Sequence, residues 1–341
     1  MKLPYMTSGL QGTGGALREK PRHFIVEEVP LYQPCGSGNH LYINITKEMV
    51  TTEELASQMA RLLAISKSEI GFAGMKDKHA VTTQTFSVPV CNRSEAEILS
   101  ALHLLNAKIN WARLHKNKLK TGHLIGNMFS IIISSIDDVS SSFEKANAVA
   151  ESIRKTGLPN FFGEQRFGVE GNNAEKGLQV VRGNLSVRDR WLRRFLISSL
   201  QSELCNKYLA GRLDKNLFKI IPGDICKKHL TGGLFASENP EEEQKRYDSG
   251  EISFTAPIYG TEMWHASADA GNLEQEVLAA AEISLEELGR AGVRGTRRLG
   301  RLLVPDINII KIAEGILVQF SLPKGAFATT VLREIMKNES D

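Results

Sequence analysis

The feature that most constrains the fold is a pair of helix-start signals, each set between runs of strand-like sequence. Thr51-Thr52-Glu53-Glu54 and Ser94-Glu95-Ala96-Glu97 both place a hydroxyl residue three positions before a glutamate. That spacing lets the two side chains satisfy free N–H groups at a helix N-terminus reciprocally. The first opens a helix with Leu55, Met59, Leu62 and Leu63 on one face, and the second a helix over Ile98–Leu105. Around them, Phe24–Val29, Leu41–Ile45, Thr83–Val90, Ile109–Leu114 and His123–Ile136 read as strands. Leu41, Ile43 and Ile45 alternate with polar residues, the period of a half-buried strand. Helices that come singly between strand pairs predict an α+β fold with a mainly antiparallel sheet, in preference to a doubly wound one.

The texture changes from about residue 138. A helix is predicted over Phe143–Lys155, followed by the Gly- and aromatic-rich "GLPNFFGEQRFGVEGNN" and helices over Asn173–Arg182 and Arg188–Leu209. A strand-like "ISFTAPIYG" follows, then one helix from Leu273 to about Ala291. The tail "INIIKIAEGILVQFSLPKGAFATTVLREIM" reads as strand, turn, strand, turn, helix. Composition places a boundary near 150–165. "QGTGG" at 11–15 has no preceding strand to make it a nucleotide fingerprint and reads as a flexible lead-in loop.

Hydrophobic content of 42% and charged content of 24% are those of an ordinary globular chain. The longest apolar runs fall far short of a membrane span, so no membrane association is expected. The N-terminal residues carry no apolar segment of the secretory kind, and the four cysteines are scattered without a CxxC pair. Reduced thiols in a cytoplasm follow as the expectation. The eight histidines form no metal-ligand spacing, and neither a nucleophile elbow nor a phosphate-binding GxxxxGK[ST] loop is present. No metal and no cofactor are therefore expected. A net charge of +3 hides a local imbalance. Residues 107–123 hold Lys108, Arg113, Lys116, Lys118 and Lys120 with two histidines and no acid. Such a run suits phosphates, or else the solvated edge of a strand or hairpin.

The segment "GMKDKHAVTTQ", residues 74–84, holds Asp77 between Lys76 and Lys78. Aspartate is favoured in turns for its own backbone hydrogen bonds. Equally, flanking cations favour the ionised carboxylate, and an ionised carboxylate on a loop can act as nucleophile or general base. Phe129 follows the basic run, and Phe161, Phe162 and Phe167 surround Arg166. Aromatic faces beside cations suit stacked bases and phosphates, although the same phenylalanines would serve equally as core.

Six motifs, in order along almost the whole chain, resemble those of the TruD-type tRNA pseudouridine-13 synthases. They are "PRHFIVEE", "FAGMKDKHAVTTQ", "GNMFS", "PNFFGEQRFG", "GVRGTRR" and "LPKGAFATTVLRE". The resemblance implies a pseudouridine-synthase-like catalytic α+β domain made of residues 1–157 and 306–341, with flanking helices. A family-specific α+β insertion would occupy 158–305. It implies isomerisation of uridine in tRNA without a cofactor or an obligate protein partner. Asp77 matches the nucleophile, Arg18 its basic partner, and Phe24, Asn127, Phe129 and Phe327 the substrate pocket. Arg18 departs from the usual lysine and His23 from a usual acid. Lys76, Lys78, Lys116, Lys118, Lys120 and Arg166 are the candidates for contacts to the RNA backbone. Two other readings fit the bare residues: a non-catalytic RNA-binding protein or chaperone, and a glycosidase or nucleoside hydrolase with an ionised aspartate.

Overall fold

Thr51 and Ser94 each form the expected reciprocal cap, the hydroxyl accepting from the N–H three residues on while Glu54 or Glu97 accepts from the cap's own N–H. The computed structural model describes residues 3–338, apart from the side chains of 215 and 216. In chain order it contains β1 (Phe24–Pro30), β2 (His40–Glu48), α1 (Thr52–Leu62), β3 (Gly71–Phe72), β4 (Val81–Pro89) and α2 (Glu95–Leu102). Next come β5 (Lys108–His115), β6 (Leu124–Ile133), α3 (Val139–Thr156), β7 (Leu158–Pro159), α4 (Asn173–Val181) and α5 (Arg190–Asn216). They are followed by β8 (Ile225–Lys228), β9 (Leu234–Ala236), α6 (Pro240–Asp248), β10 (Ile252–Ile258), α7 (Ala268–Ala280) and α8 (Leu285–Arg290). The last are β11 (Thr296–Leu299), β12 (Arg301–Leu302), β13 (Asn308–Ile312), β14 (Gly315–Pro323) and α9 (Ala328–Met336).

The described residues divide into two compact units. One comprises Gly12–Ala150, Asp306–Ala328 and 335–338; the other comprises 3–11, Glu151–Pro305 and Thr329–Glu334. The first is built on a mixed sheet ordered β13-β14-β6-β1-β4-β2-β5, with β3 also on β4. Only β1 and β4 run parallel; the other pairs are antiparallel. Leu41, Ile43 and Ile45 of β2 and Phe86 of β4 are fully buried against Leu55 and Met59 of α1 and Ile98 and Leu102 of α2. This covered half of the sheet is the base on which the Asp77 loop rests. The second unit sets α5 and α7 beside a four-stranded antiparallel sheet, β11-β10-β8-β9. A fully buried Arg212–Asp224 pair at 2.6 Å lies inside it.

Two expectations are corrected. The single helix from Leu273 to Ala291 is two helices, starting earlier, at Ala268. The break falls where Glu282 takes a left-handed φ of +50° and Ser284 caps α8 with Glu287. A residue in that conformation stops one helix, and a new reciprocal cap starts the next. "QGTGG", expected as a free lead-in, is tied down by backbone hydrogen bonds. Thr13 and Gly14 donate to the carbonyls of Ile335 and Met336, and Ala16 to that of Ser134, at 2.8–3.0 Å. A Cβ on Gly12 would lie 2.2 Å from the Met336 carbonyl oxygen, so glycine at this position permits close backbone contact.

Candidate active site

The loop that carries Asp77 leaves β3 and enters β4, and buried polar groups fix it from below. The Lys76 N–H donates to Thr52 Oγ1 at 2.8 Å; that hydroxyl donates to Gln84 Oε1, and Gln84 Nε2 donates to the Gly74 carbonyl. Thr52 and Gln84 are fully buried. Lys76, expected at the RNA backbone, turns inward instead: its ammonium meets Glu28 Oε2 at 3.1 Å, with both side chains at least 95% buried. Glu28 Oε1 accepts from the Thr85 N–H. Lys78 stays exposed and pairs with Glu54 at 3.3 Å. A loop pinned at Gly74 and Lys76 holds the next side chain, Asp77, in a restricted position at the surface.

Arg18 meets that carboxylate from a segment 59 residues earlier. Its Nη2 lies 2.7 Å from Asp77 Oδ2, and its guanidinium carbon sits 4.1 Å from the centre of the Phe24 ring. Arg18 takes a φ of +61°, a backbone conformation unusual outside glycine, so its placement carries local strain. Phe24 meets Phe129 edge to face at 6.4 Å, and Phe129 stacks on Phe320 at 5.3 Å. The strand register puts Val26, Phe129 and Phe320 side by side, and Glu28, Asn127 and Leu322 beside one another in the same way. The buried Asn127 Oδ1 has no hydrogen-bond partner among the described residues. A buried acceptor left unpaired is unfavourable unless something else meets it. Phe327 lies just ahead of α9, beside this sheet's last strand in sequence.

A profile of the family described as "tRNA pseudouridine synthase D (TruD)" matches residues 1–188 and 181–335. The chain belongs to that family. Relatives named tRNA pseudouridine synthase D include one from Anaeromyxobacter dehalogenans, 40% identical over 99% of this chain and 97% of its own length. Another, from Thermus thermophilus, is 40% identical over 99% of this chain and 93% of its own. A crystal structure described as the putative tRNA pseudouridine synthase D (TruD) of Methanosarcina mazei superposes with a TM-score of 0.80. It is 26% identical and covers 99% of both chains.

Set on this TruD-family chain, the candidates separate into groups. Asp77, Arg18, Phe24 and Phe129 come together, with Asn127 two residues from Phe129 on β6. Lys116 and Lys120 are exposed, and Lys118 donates to the Ser68 carbonyl. Arg166 belongs to the other compact unit, where Ser198 and Ser202 hold its guanidinium and burial pushes its pKa down. His23 is buried, 3.5 Å from Glu314. Sequence reasoning missed Thr52, Glu28 and Lys47. Lys47 is 98% buried, its ammonium donating to the Val50 carbonyl at 2.6 Å. Burial, then the nearby Lys76 charge, push its pKa down to about 8, while Asp77 and Glu54 act in the opposite sense.

A pH dependence follows. Because Lys47 has a folded pKa of about 8 against 10.5 unfolded, the unfolded chain holds more protons between those values, so this group adds stability as pH rises through that window. Lys47→Met removes the effect. The melting temperature of the wild type should therefore gain on that of Lys47→Met between about pH 8 and 10. Parallel curves would show that Lys47 is solvated in the folded state.

Proposed function

We propose that the protein converts uridine to pseudouridine in tRNA, at position 13, with Asp77 as the nucleophile. The reading rests on one observation above the rest: a carboxylate on a pinned loop, paired with a guanidinium that lies over the Phe24 ring, which in turn meets Phe129. In the reaction the bond from uracil N1 to ribose C1′ breaks, the base turns, C5 joins C1′, and the C5 proton is released as N1 gains one. Atoms and electrons balance without a co-reactant. Asp77 acts at the ribose while Arg18 pairs with its Oδ2 and fixes its orientation. Phe129 and Phe327 flank the base, Phe24 forms the wall behind Arg18, and Asn127 meets a polar edge of the uracil. A target base must leave its stack, which costs a few kcal/mol, and aromatic stacking of about 1–3 kcal/mol per base offsets that.

On this reading residues 1–157 and 306–341 form the catalytic domain and 158–305 the family's insertion; the compact units follow that division except that 3–11, 151–157 and 329–334 group with the insertion. Lys78, Lys116, Lys118 and Lys120 meet tRNA phosphates, and the protein works in the cytoplasm. Among the described residues no helix is long and apolar enough to cross a membrane. The test is incubation with unmodified tRNA transcripts followed by site mapping of pseudouridine. One modified uridine, at position 13, is expected; no isomerisation in any transcript would overturn the proposal. Affinity for the transcript should fall at least about tenfold between roughly 50 and 200 mM salt, because two or more neutralised phosphates release that many counterions.

A further inference from the structure

A second site lies in the same compact unit, where the basic run after β5 folds back toward the loop after β1. It is an open depression of about 590 Å³ lined by Tyr32, His115, Asn117, Lys118, Lys120 and His123, among others. Its size falls in the range of about 300–1,000 Å³ that holds a small ligand. Its wall is prebuilt. The Tyr32 and His115 rings stack at 5.2 Å and 21°, and the Tyr32 hydroxyl shares a 2.8 Å hydrogen bond with His123 Nδ1. Tyr42 supports the same wall from the sheet, its ring 4.7 Å from His115 and its hydroxyl bonded to the Asn117 carbonyl. No carboxylate lines the depression. Lys118 uses one donor on the Ser68 carbonyl, which leaves two, and Lys120 is exposed. Among the described residues neither lysine is paired with an acid.

The depression is also tied to the Asp77 loop. The Gly122 N–H donates to the Ala73 carbonyl at 2.8 Å, and the Leu119 N–H to Ser87 Oγ at 2.9 Å. Leu119 and Leu124 pack with Ala73 and Tyr42 in one small buried cluster, with Tyr32 against it. The segment that supplies Lys118 and Lys120 thus shares its foundation with the chain leading to Asp77.

We infer that this depression is an RNA subsite for one unpaired nucleotide away from the target uridine, its phosphate on Lys118 and Lys120 and its base on the Tyr32–His115 wall. The inference rests on the tRNA reading given above. Cations without acids select an anion, and a parallel aromatic pair beside them selects a flat base, which together specify a nucleotide rather than a free phosphate.

The test uses full-length wild type, Lys120→Ala, Tyr32→Phe and Tyr32→Ala with one unmodified tRNA transcript. Lys120→Ala should raise the KM for the transcript about three- to tenfold and flatten the slope of log Kd against log salt by about one. Tyr32→Ala should raise KM about five- to hundredfold, with Tyr32→Phe within about threefold of wild type, because a ring of either kind stacks. A merely structural role would instead lower the melting temperature and kcat, and would leave the salt slope unchanged. Wild-type KM and salt slope in Lys120→Ala, on an enzyme that isomerises tRNA, would overturn the subsite alone. Inorganic phosphate competing as well as a nucleoside monophosphate would reduce the site to an anion hole and likewise overturn it. A wild type inert on every transcript would instead overturn the tRNA reading itself.

Discussion

Asp77→Asn is expected to lower pseudouridine formation by at least about 10⁴-fold, while affinity for the transcript stays within about threefold. The amide has the shape of the carboxylate, and its oxygen still accepts from Arg18 Nη2, so the loop and the bound RNA keep their positions. What disappears is the charge and nucleophilicity at one oxygen. Stability should hardly change, because the Asp77 side chain is 49% exposed and such half-exposed pairs contribute only about 0–1 kcal/mol. That separation matters for interpretation: lost activity with normal melting and normal binding isolates the chemical step. Near-normal turnover by the amide variant would remove Asp77 from the reaction. An inactive wild type with intact binding would point to a non-catalytic RNA-binding protein.

Glu28→Ala should have the largest effect on folding. It leaves the Lys76 ammonium buried without its carboxylate, and breaking a buried pair in this way destabilises by about 3–5 kcal/mol. The Thr85 N–H loses its acceptor as well. Replacing both members, Glu28→Met with Lys76→Met, removes the uncompensated charge and should recover most of that loss in a denaturant titration. Activity should not recover with it, since the ammonium no longer ties the residue before Asp77 to β1. A single variant within about 1 kcal/mol of wild type would mean that water reaches the pair.

Much of the architecture was legible because it rests on local rules. The two hydroxyl-to-glutamate spacings located the caps at Thr51 and Ser94, since capping is decided within four positions of chain, although α2 runs over Glu95–Leu102 and not Ile98–Leu105. Leu41, Ile43 and Ile45 gave the buried face of β2 by alternation. The helix break at Glu282 was not legible, because a helical apolar pattern can continue in sequence across a residue whose backbone turns left-handed. The tight packing of Gly12 was hidden for another reason: its neighbour, Met336, is near the far end of the sequence. The site divided along the same line. The Arg18–Asp77 contact came only through family resemblance, as nothing local links two residues 59 positions apart. Glu28 and Lys47 did leave a trace. Glu28 continues the phase of Phe24 and Val26, and Lys47 that of Ile43 and Ile45, so each places a charge on an otherwise apolar face. A charge in that phase needs a buried partner: for Glu28 it is Lys76, which braces the loop that carries Asp77, and for Lys47 the Val50 carbonyl.

The insertion of β14 between β6 and β13 also bears on how the protein matures during synthesis. Phe129 reaches the ribosome exit long before Phe320, the ring on which it stacks, has been made. Until β14 emerges, β6 keeps one row of backbone donors and acceptors open, an edge prone to pairing with another chain. Closing so long a loop costs chain entropy that only the finished ladder offsets, so assembly of this half of the sheet is expected to lag behind the local β2–α1–β4 part. Translation stalled after β6 but before β14 would expose an incomplete pocket and an aggregation-prone strand at once, which makes the arrival of β14 the step that commits the chain to a working site.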